Sequence, residues 1–120
     1  MTILELNHVA LHVADVAVSC AFYEQVLRLQ PMARPDFDFP GAWFRLGDQE
    51  LHLIGGRSRP AISGNRGDHF ALRVNDLPAW EKHLHSIGAD YRPPKKRPDG
   101  AWQIFLNDPD GHCVELCSLP

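Results

Sequence analysis

His8-Val9-Ala10-Leu11-His12-Val13-Ala14-Asp15-Val16 reads against His69-Phe70-Ala71-Leu72-Arg73-Val74-Asn75-Asp76-Leu77, with His, Ala, Leu, Val and Asp identical at matching positions. A second match, Leu46-Gly47-Asp48 against Leu106-Asn107-Asp108, keeps nearly the same spacing. After it Leu51-His52-Leu53 corresponds to Val114-Glu115-Leu116, the turn Asp108-Pro109-Asp110-Gly111 supplying the extra residues. Two matches at nearly one spacing mark an internal duplication, and the duplication organises the chain.

Each half reads the same way outward from these stretches. Residues 4–13 and 68–74 alternate as strands and end at Asp15 and Asp76, residues suited to cap a helix. In the second helix Pro78 occupies the first turn, Leu77, Trp80, Leu84 and Ile87 share a face, and Gly88 ends it. In the first, over 16–28, Val18, Phe22, Val26 and Leu29 make a comparable stripe. Strand character follows at 31–34, 42–46 and 50–54, and again at 89–92, 102–106 and 112–117. The reading is α+β: two tandem βαβββ modules in a single domain. Module 1 covers about residues 4–54, the linker 55–68, and module 2 about 69–118.

Composition narrows the function. A chain of 120 residues with 44% hydrophobic content is globular, and buries roughly two thirds of its unfolded surface without a disulfide scaffold. The formal charge of −3 argues against nucleic acid as a partner. No apolar run is long enough for a bilayer, and the amino end does not read as a signal peptide, so no membrane partner is expected. Three cysteines, an odd number, suit a reducing compartment, and the expected location is cytoplasmic. On one strand, Cys113 and Cys117 stand about 13 Å apart, beyond a disulfide's reach. The basic run Pro93-Pro94-Lys95-Lys96-Arg97 reads as a solvated loop.

Side chains alternate across a strand, so parity assigns faces. Val9, Leu11 and Val13, and likewise Phe70, Leu72 and Val74, form the faces on which helices pack. The opposite face collects His8, His52, His69 and Glu115, one from each of four strands. His8 is equivalent to His69, and His52 to Glu115. A lone strand histidine is more often packed or solvated than a ligand. Four donors related as two pairs are what one divalent metal requires, and imidazole with carboxylate suits zinc, nickel, cobalt, manganese or iron. His12 and Arg73, a further equivalent pair, share that face with Trp43, Arg45, Gln103 and Phe105. These six are the candidate substrate-binding residues. Glu50 and His112 read as surface, and His83 and His85 as solvent-exposed on the second helix.

The chain resembles the vicinal-oxygen-chelate superfamily of glyoxalases, bleomycin-resistance proteins and extradiol dioxygenases. The resemblance rests on Leu6-Asn7-His8-Val9 leading to Asp15, and on Phe22-Tyr23 with Val26-Leu27. It continues through Asp68-His69-Phe70-Ala71 and Asp108-Pro109-Asp110-Gly111-His112, running into Val114-Glu115-Leu116. It implies that His8, His69 and Glu115 are metal ligands, with His52 where some members place a fourth, usually Glu or Gln. The implied activity is that of a glyoxalase-like lyase or isomerase. In it a divalent metal chelates vicinal oxygens of a small substrate and stabilises an enolate-like intermediate, with Glu115 as the catalytic carboxylate. Only Glu115 has the chemistry to move the substrate proton, because a metal-held imidazole has its lone pair engaged.

Alternatives within the resemblance are a dioxygenase-like enzyme, a fosfomycin-type thiol transferase, and a non-catalytic protein that sequesters a small drug molecule. A small-molecule substrate and a homodimer are the expected partners.

Overall fold

The computed structural model describes residues 1–62 and 64–120. Two compact units divide the chain, Met1–Pro60 and Ala61–Pro120. The first contains β1 (His8–His12), α1 (Val16–Ala21), β2 (Gln30–Met32), β3 (Gly41–Leu46) and β4 (Gln49–Ile54). The second contains β5 (His69–Arg73), α2 (Leu77–Ser86), β6 (Lys95–Lys96), β7 (Trp102–Asn107) and β8 (Cys113–Cys117). Each is βαβββ, and the fold is α+β. The sheets run β1-β4-β3-β2 and β5-β8-β7-β6, each with one parallel pair, β1 on β4 and β5 on β8.

Register carries the duplication into three dimensions. Across β1 and β4 His8 faces Glu50 and Ala10 faces His52; across β5 and β8 His69 faces Cys113 and Ala71 faces Glu115. His8 and His69 therefore occupy one position of the repeat, and His52 and Glu115 another. On the opposite faces lie the cores. Leu11, Phe44, Leu51 and Leu53 are buried in unit 1, and Ile104, Leu106, Val114 and Leu116 in unit 2.

The helices start as their caps dictate. Asp15 accepts from the Val18 amide at 3.2 Å and Asp76 from the Ala79 amide at 3.0 Å. The first helix departs from the expected continuous run over 16–28. After Ala21 it widens into a π-helical turn, Phe22–Val26, and closes at Arg28 with φ 55°. Its buried side chains are Ser19, Tyr23 and Leu27, whereas Val18, expected on the core stripe, is 52% exposed. Small Ser19 lets the helix approach β3 and β4, which turns the packed face one position round from the apolar stripe. In α2, Leu77 and Leu84 are buried as expected, but Ile87 sits at the C-cap and is 47% exposed.

Strand β6 also differs from expectation. It lies at Lys95–Lys96 and not at 89–92, so the two lysines of the basic run form a short edge strand within the expected loop. The Arg92 amide does donate to the Phe105 carbonyl at 2.9 Å. Pro93 and Pro94 then offer no N–H, and the ladder resumes only beyond them. β1 begins at His8, leaving residues 4–7 outside the sheet.

In unit 2 the Asp108–Gly111 turn is fixed by the buried Asp108, whose Oδ1 accepts from the amides of Asp110 and His112. Gly111 has φ 89°, and a Cβ there would fall 1.7 Å from the Ile62 carbonyl oxygen, so only glycine fits. His112, expected at the surface, is half-buried, with Nδ1 donating to Asp108 Oδ2 at 2.8 Å. His83 is likewise half-buried, edge-on to Trp80 at 5.5 Å, while His85 is exposed as expected.

Candidate metal centre

Unit 2 assembles the tighter pair. Glu115, on β8, is only 3% exposed. Its Oε1 lies 2.9 Å from His69 Nε2, and its Oε2 accepts from the Gln103 amide at 3.2 Å. His69 Nδ1 lies 2.8 Å from the Arg66 carbonyl oxygen. A carbonyl oxygen only accepts, so Nδ1 is the protonated nitrogen and a neutral ring has its lone pair on Nε2. That lone pair faces a carboxylate. The contact is favourable only with a proton shared between the two atoms or a metal ion held by both. Two donors bound at right angles about 2.1 Å from one metal stand roughly 3 Å apart, which matches the observed separation. A backbone carbonyl on the remote ring nitrogen is also the usual support for a metal-binding histidine. The donors fit a divalent metal.

Phe105 packs edge-on to His69 at 5.3 Å and lies beside Glu115 in register. His69, Gln103 and Phe105 share a hollow of about 500 Å³. Arg73, expected among them, instead lines a separate hollow with Val74, Asn75, Trp80, Ser118 and Leu119. Burial holds the Cys117 thiol above its usual range, and the Glu115 charge adds to this.

Unit 1 is built differently at the same positions. His8 Nδ1 donates to Asn7 Oδ1 at 2.8 Å, which leaves Nε2 with the lone pair, as in His69. His52 is stacked between Trp43, 3.9 Å away at 1°, and His8, 4.2 Å away at 18°. An imidazole offers its lone pair in the ring plane, so two nearly parallel rings do not direct lone pairs at one point. His52 Nε2 is also 2.8 Å from Glu50 Oε1. To join His8 on a metal, His52 would have to leave both the stack and Glu50. Glu50, expected at the surface from its strand-edge position, is half-buried in this contact. Its signal in the sequence was its placement two residues from His52 on one strand face. Arg45 pairs with Glu50 in register and is exposed, while His12 is half-buried opposite Ile54. Among the described residues, neither unit by itself gathers three or more metal-binding side chains.

Comparison with known proteins agrees with this architecture. The family model of the Glyoxalase/Bleomycin resistance protein/Dioxygenase superfamily matches residues 5–116, and the chain belongs to that superfamily, a group of vicinal-oxygen-chelate proteins. It is 34% identical over 125 residues to the metallothiol transferase FosB of Bacillus licheniformis, covering 95% of this chain and 75% of that one. To Glyoxylase I 4 of Arabidopsis thaliana it is 30% identical over 126 residues, covering 96% and 72%. A crystal structure of a glutamate-to-glutamine variant of the fosfomycin resistance protein FosX from Listeria monocytogenes has the same fold. That protein is complexed with Mn(II) and 1S,2S-dihydroxypropylphosphonic acid. The TM-score is 0.82 at 17% identity, covering 99% of this chain and 95% of that one.

Proposed function

We propose that the chain is a metal-dependent enzyme acting on a small oxygenated molecule, with His8, His69 and Glu115 as ligands of one divalent metal. The observation that carries the proposal is the His69–Glu115 contact, a lone-pair nitrogen held against a buried carboxylate. When bound, the metal supplies Lewis acidity toward neighbouring substrate oxygens.

Within that class, thiol transfer is the reading Glu115 favours. Both its oxygens are engaged and its side chain is buried, which supports a ligand's role for it over that of a mobile proton acceptor. Transfer needs no such acceptor there. A thiolate sulfur bonds to an electrophilic carbon, that carbon's bond to oxygen breaks, and the leaving oxygen takes a proton from water. Gln103 orients Glu115, Phe105 excludes water from one side of His69, and Trp43 walls His52. The likeness to a metallothiol transferase supports this reading. A lyase or isomerase is the second reading. It is supported by the likeness to Glyoxylase I 4 and by Glu115 being the carboxylate at the repeat position where unit 1 has His52.

The exposed Ile3, Leu4 and Leu6 ahead of edge strand β1 support a homodimer, which a monomeric mass by light scattering would overturn. Three free cysteines suit a reducing cytoplasm, and no helix among the described residues is long and apolar enough to cross a membrane.

The test is elemental analysis of protein purified without chelators or a metal-affinity tag, beside Glu115→Ala, followed by two assays. One follows loss of free thiol with fosfomycin; the other follows isomerisation of the hemithioacetal of a 2-oxoaldehyde. One equivalent of metal, absent from the variant, with thiol consumption supports transfer. Turnover of the hemithioacetal alone supports the second reading. Oxygen uptake with iron(II) and a catechol would indicate a dioxygenase. A folded protein that takes up no metal on soaking would indicate a sequestering protein.

A further inference from the structure

The two units also differ on the faces that their helices cover. In each, the amide just past the last strand donates to a carbonyl at the head of the preceding strand. Gly55 donates to Pro40 at 2.8 Å, and Ser118 to Trp102 at 3.0 Å. This bond makes Pro40 the counterpart of Trp102 and Gly55 that of Ser118, while the helix starts pair Val16 with Leu77. In unit 1 the place is packed shut: a Cβ on Gly55 would fall 2.8 Å from Val16 Cγ2 and 2.9 Å from Pro40 Cγ. In unit 2 Leu77, Trp102 and Ser118 line a hollow of about 390 Å³. The scaffold can close this place, and unit 2 leaves it open.

The lining of the hollow says what would fill it. Alternation along β7 turns Trp102 away from Gln103, so the hollow and the candidate metal centre lie on opposite faces of the sheet. Trp102 is 43% exposed, and among the described residues no ring packs on it. Pro78 and Pro94 add rigid apolar walls. Where unit 1 has Ala14 and Cys20, the matching positions Asn75 and Glu81 of unit 2 bring polar groups to the hollow. Glu81 is half-buried on α2, yet among the described residues no cation pairs with it. Asp76 is a second carboxylate in the lining, and its Oδ1 caps α2. Two carboxylates outweigh the roughly half positive charge of a helix start. Arg73 and Lys96, the latter opposite Trp102 in register, line other hollows.

We propose that this hollow binds a small aromatic molecule carrying a protonated amine, its ring against Trp102 and its ammonium toward Glu81 and Asp76. Indole offers a stacking face to the ring and attracts the cation. The volume lies at the lower end of the usual range for ligand pockets, about 300–1,000 Å³, which suits a molecule of one or two rings. A ligand bearing a carboxylate would meet two like charges. The site is independent of the metal-enzyme reading.

Two-dimensional NMR of the isotope-labelled full-length protein tests this. Its three tryptophans give three indole N–H signals, and Trp102→Ala identifies the one that belongs to Trp102. The probe is phenethylamine, with phenylacetate and phenethyl alcohol as controls of opposite and of no charge. The Trp102 signal should move saturably with phenethylamine, less with the alcohol and not with phenylacetate, while the signal of Trp43, stacked on His52, stays in place. Glu81→Gln should raise the half-saturating concentration about tenfold, the size of a lost charge-assisted contact. Glu115→Ala should leave it unchanged. Equal binding of phenylacetate, or an unchanged midpoint in a folded Glu81→Gln, would overturn the proposal. Binding that vanishes in Glu115→Ala would move the ligand to the metal face and overturn it while sparing the metal site. No shift of Trp102 with phenethylamine would overturn it too, and a halved mass of Trp102→Ala by light scattering would then give the hollow to a second copy of the chain.

Discussion

The two units place different chemistry on the same scaffold positions. In unit 2 the repeat pair is His69 and Glu115, an imidazole and a buried carboxylate 2.9 Å apart. In unit 1 it is His8 and His52, two stacked rings, with the carboxylate displaced two residues along β4 to Glu50. What both units keep is the support. Asn7 holds Nδ1 of His8, and the Arg66 carbonyl holds Nδ1 of His69, so each strand-leading histidine has Nε2 free of that bond. Duplication thus preserved the support of one histidine per unit and let the second position diverge: to a buried carboxylate against His69 in unit 2, to a ring stacked on His8 in unit 1.

The largest effect that would break this comparison is loss of metal. Glu115→Ala should retain no stoichiometric metal by elemental analysis, because it removes the one charged member of the proposed ligand set. Next, His8→Ala should lose metal comparably, whereas His52→Phe, which keeps a ring between Trp43 and His8, should retain it. Equal loss in both variants would make His52 a ligand and require it to turn away from Glu50.

On the core side the units should behave alike. Leu53→Ala and Leu116→Ala, both at buried positions related by the repeat, should each cost about 2–5 kcal/mol in denaturant unfolding. A marked inequality would show that the scaffolds have diverged as well as the sites. Gln103→Ala should weaken metal affinity by about 10–100-fold, the usual effect of removing a group that orients a ligand. In unit 1 it is Trp43 that packs against the second repeat position, stacked on His52, so a change there should act on the stack and not on metal content. The smallest effect concerns Cys117. Its thiol is held above its usual range by burial first and by Glu115 second, so alkylation by iodoacetamide at neutral pH should be slow. Glu115→Gln removes the charge that opposes thiolate formation and should speed the reaction a few-fold.

Much of this was legible because the signals are local or periodic. Strand parity put His8, His52, His69 and Glu115 on the faces away from the cores, and the register of β1 on β4 and β5 on β8 reproduces their equivalence. Asp15 and Asp76 announced both helix starts. The misreadings came where neighbours in space override the chain. Val18 belongs to an apolar stripe, but close packing on the sheet favours small Ser19. Residues 89–92 alternate like a strand, but Pro93 and Pro94 interrupt the ladder and shift it to Lys95–Lys96. Glu50 and His112 looked like surface, and each is tied into a carboxylate–imidazole contact.

By itself the sequence determined the duplication, the βαβββ order, the family and which side of each strand bears the polar residues, because alternation and capping depend on residues a few positions apart. Only the tertiary structure decided which histidine nitrogens are committed, that His52 stacks between Trp43 and His8, and that a basic run lines a hollow with His69. Those outcomes depend on hydrogen bonds, ring orientations and charges brought together from distant strands, and no spacing along the chain encodes the direction in which a side chain finally points.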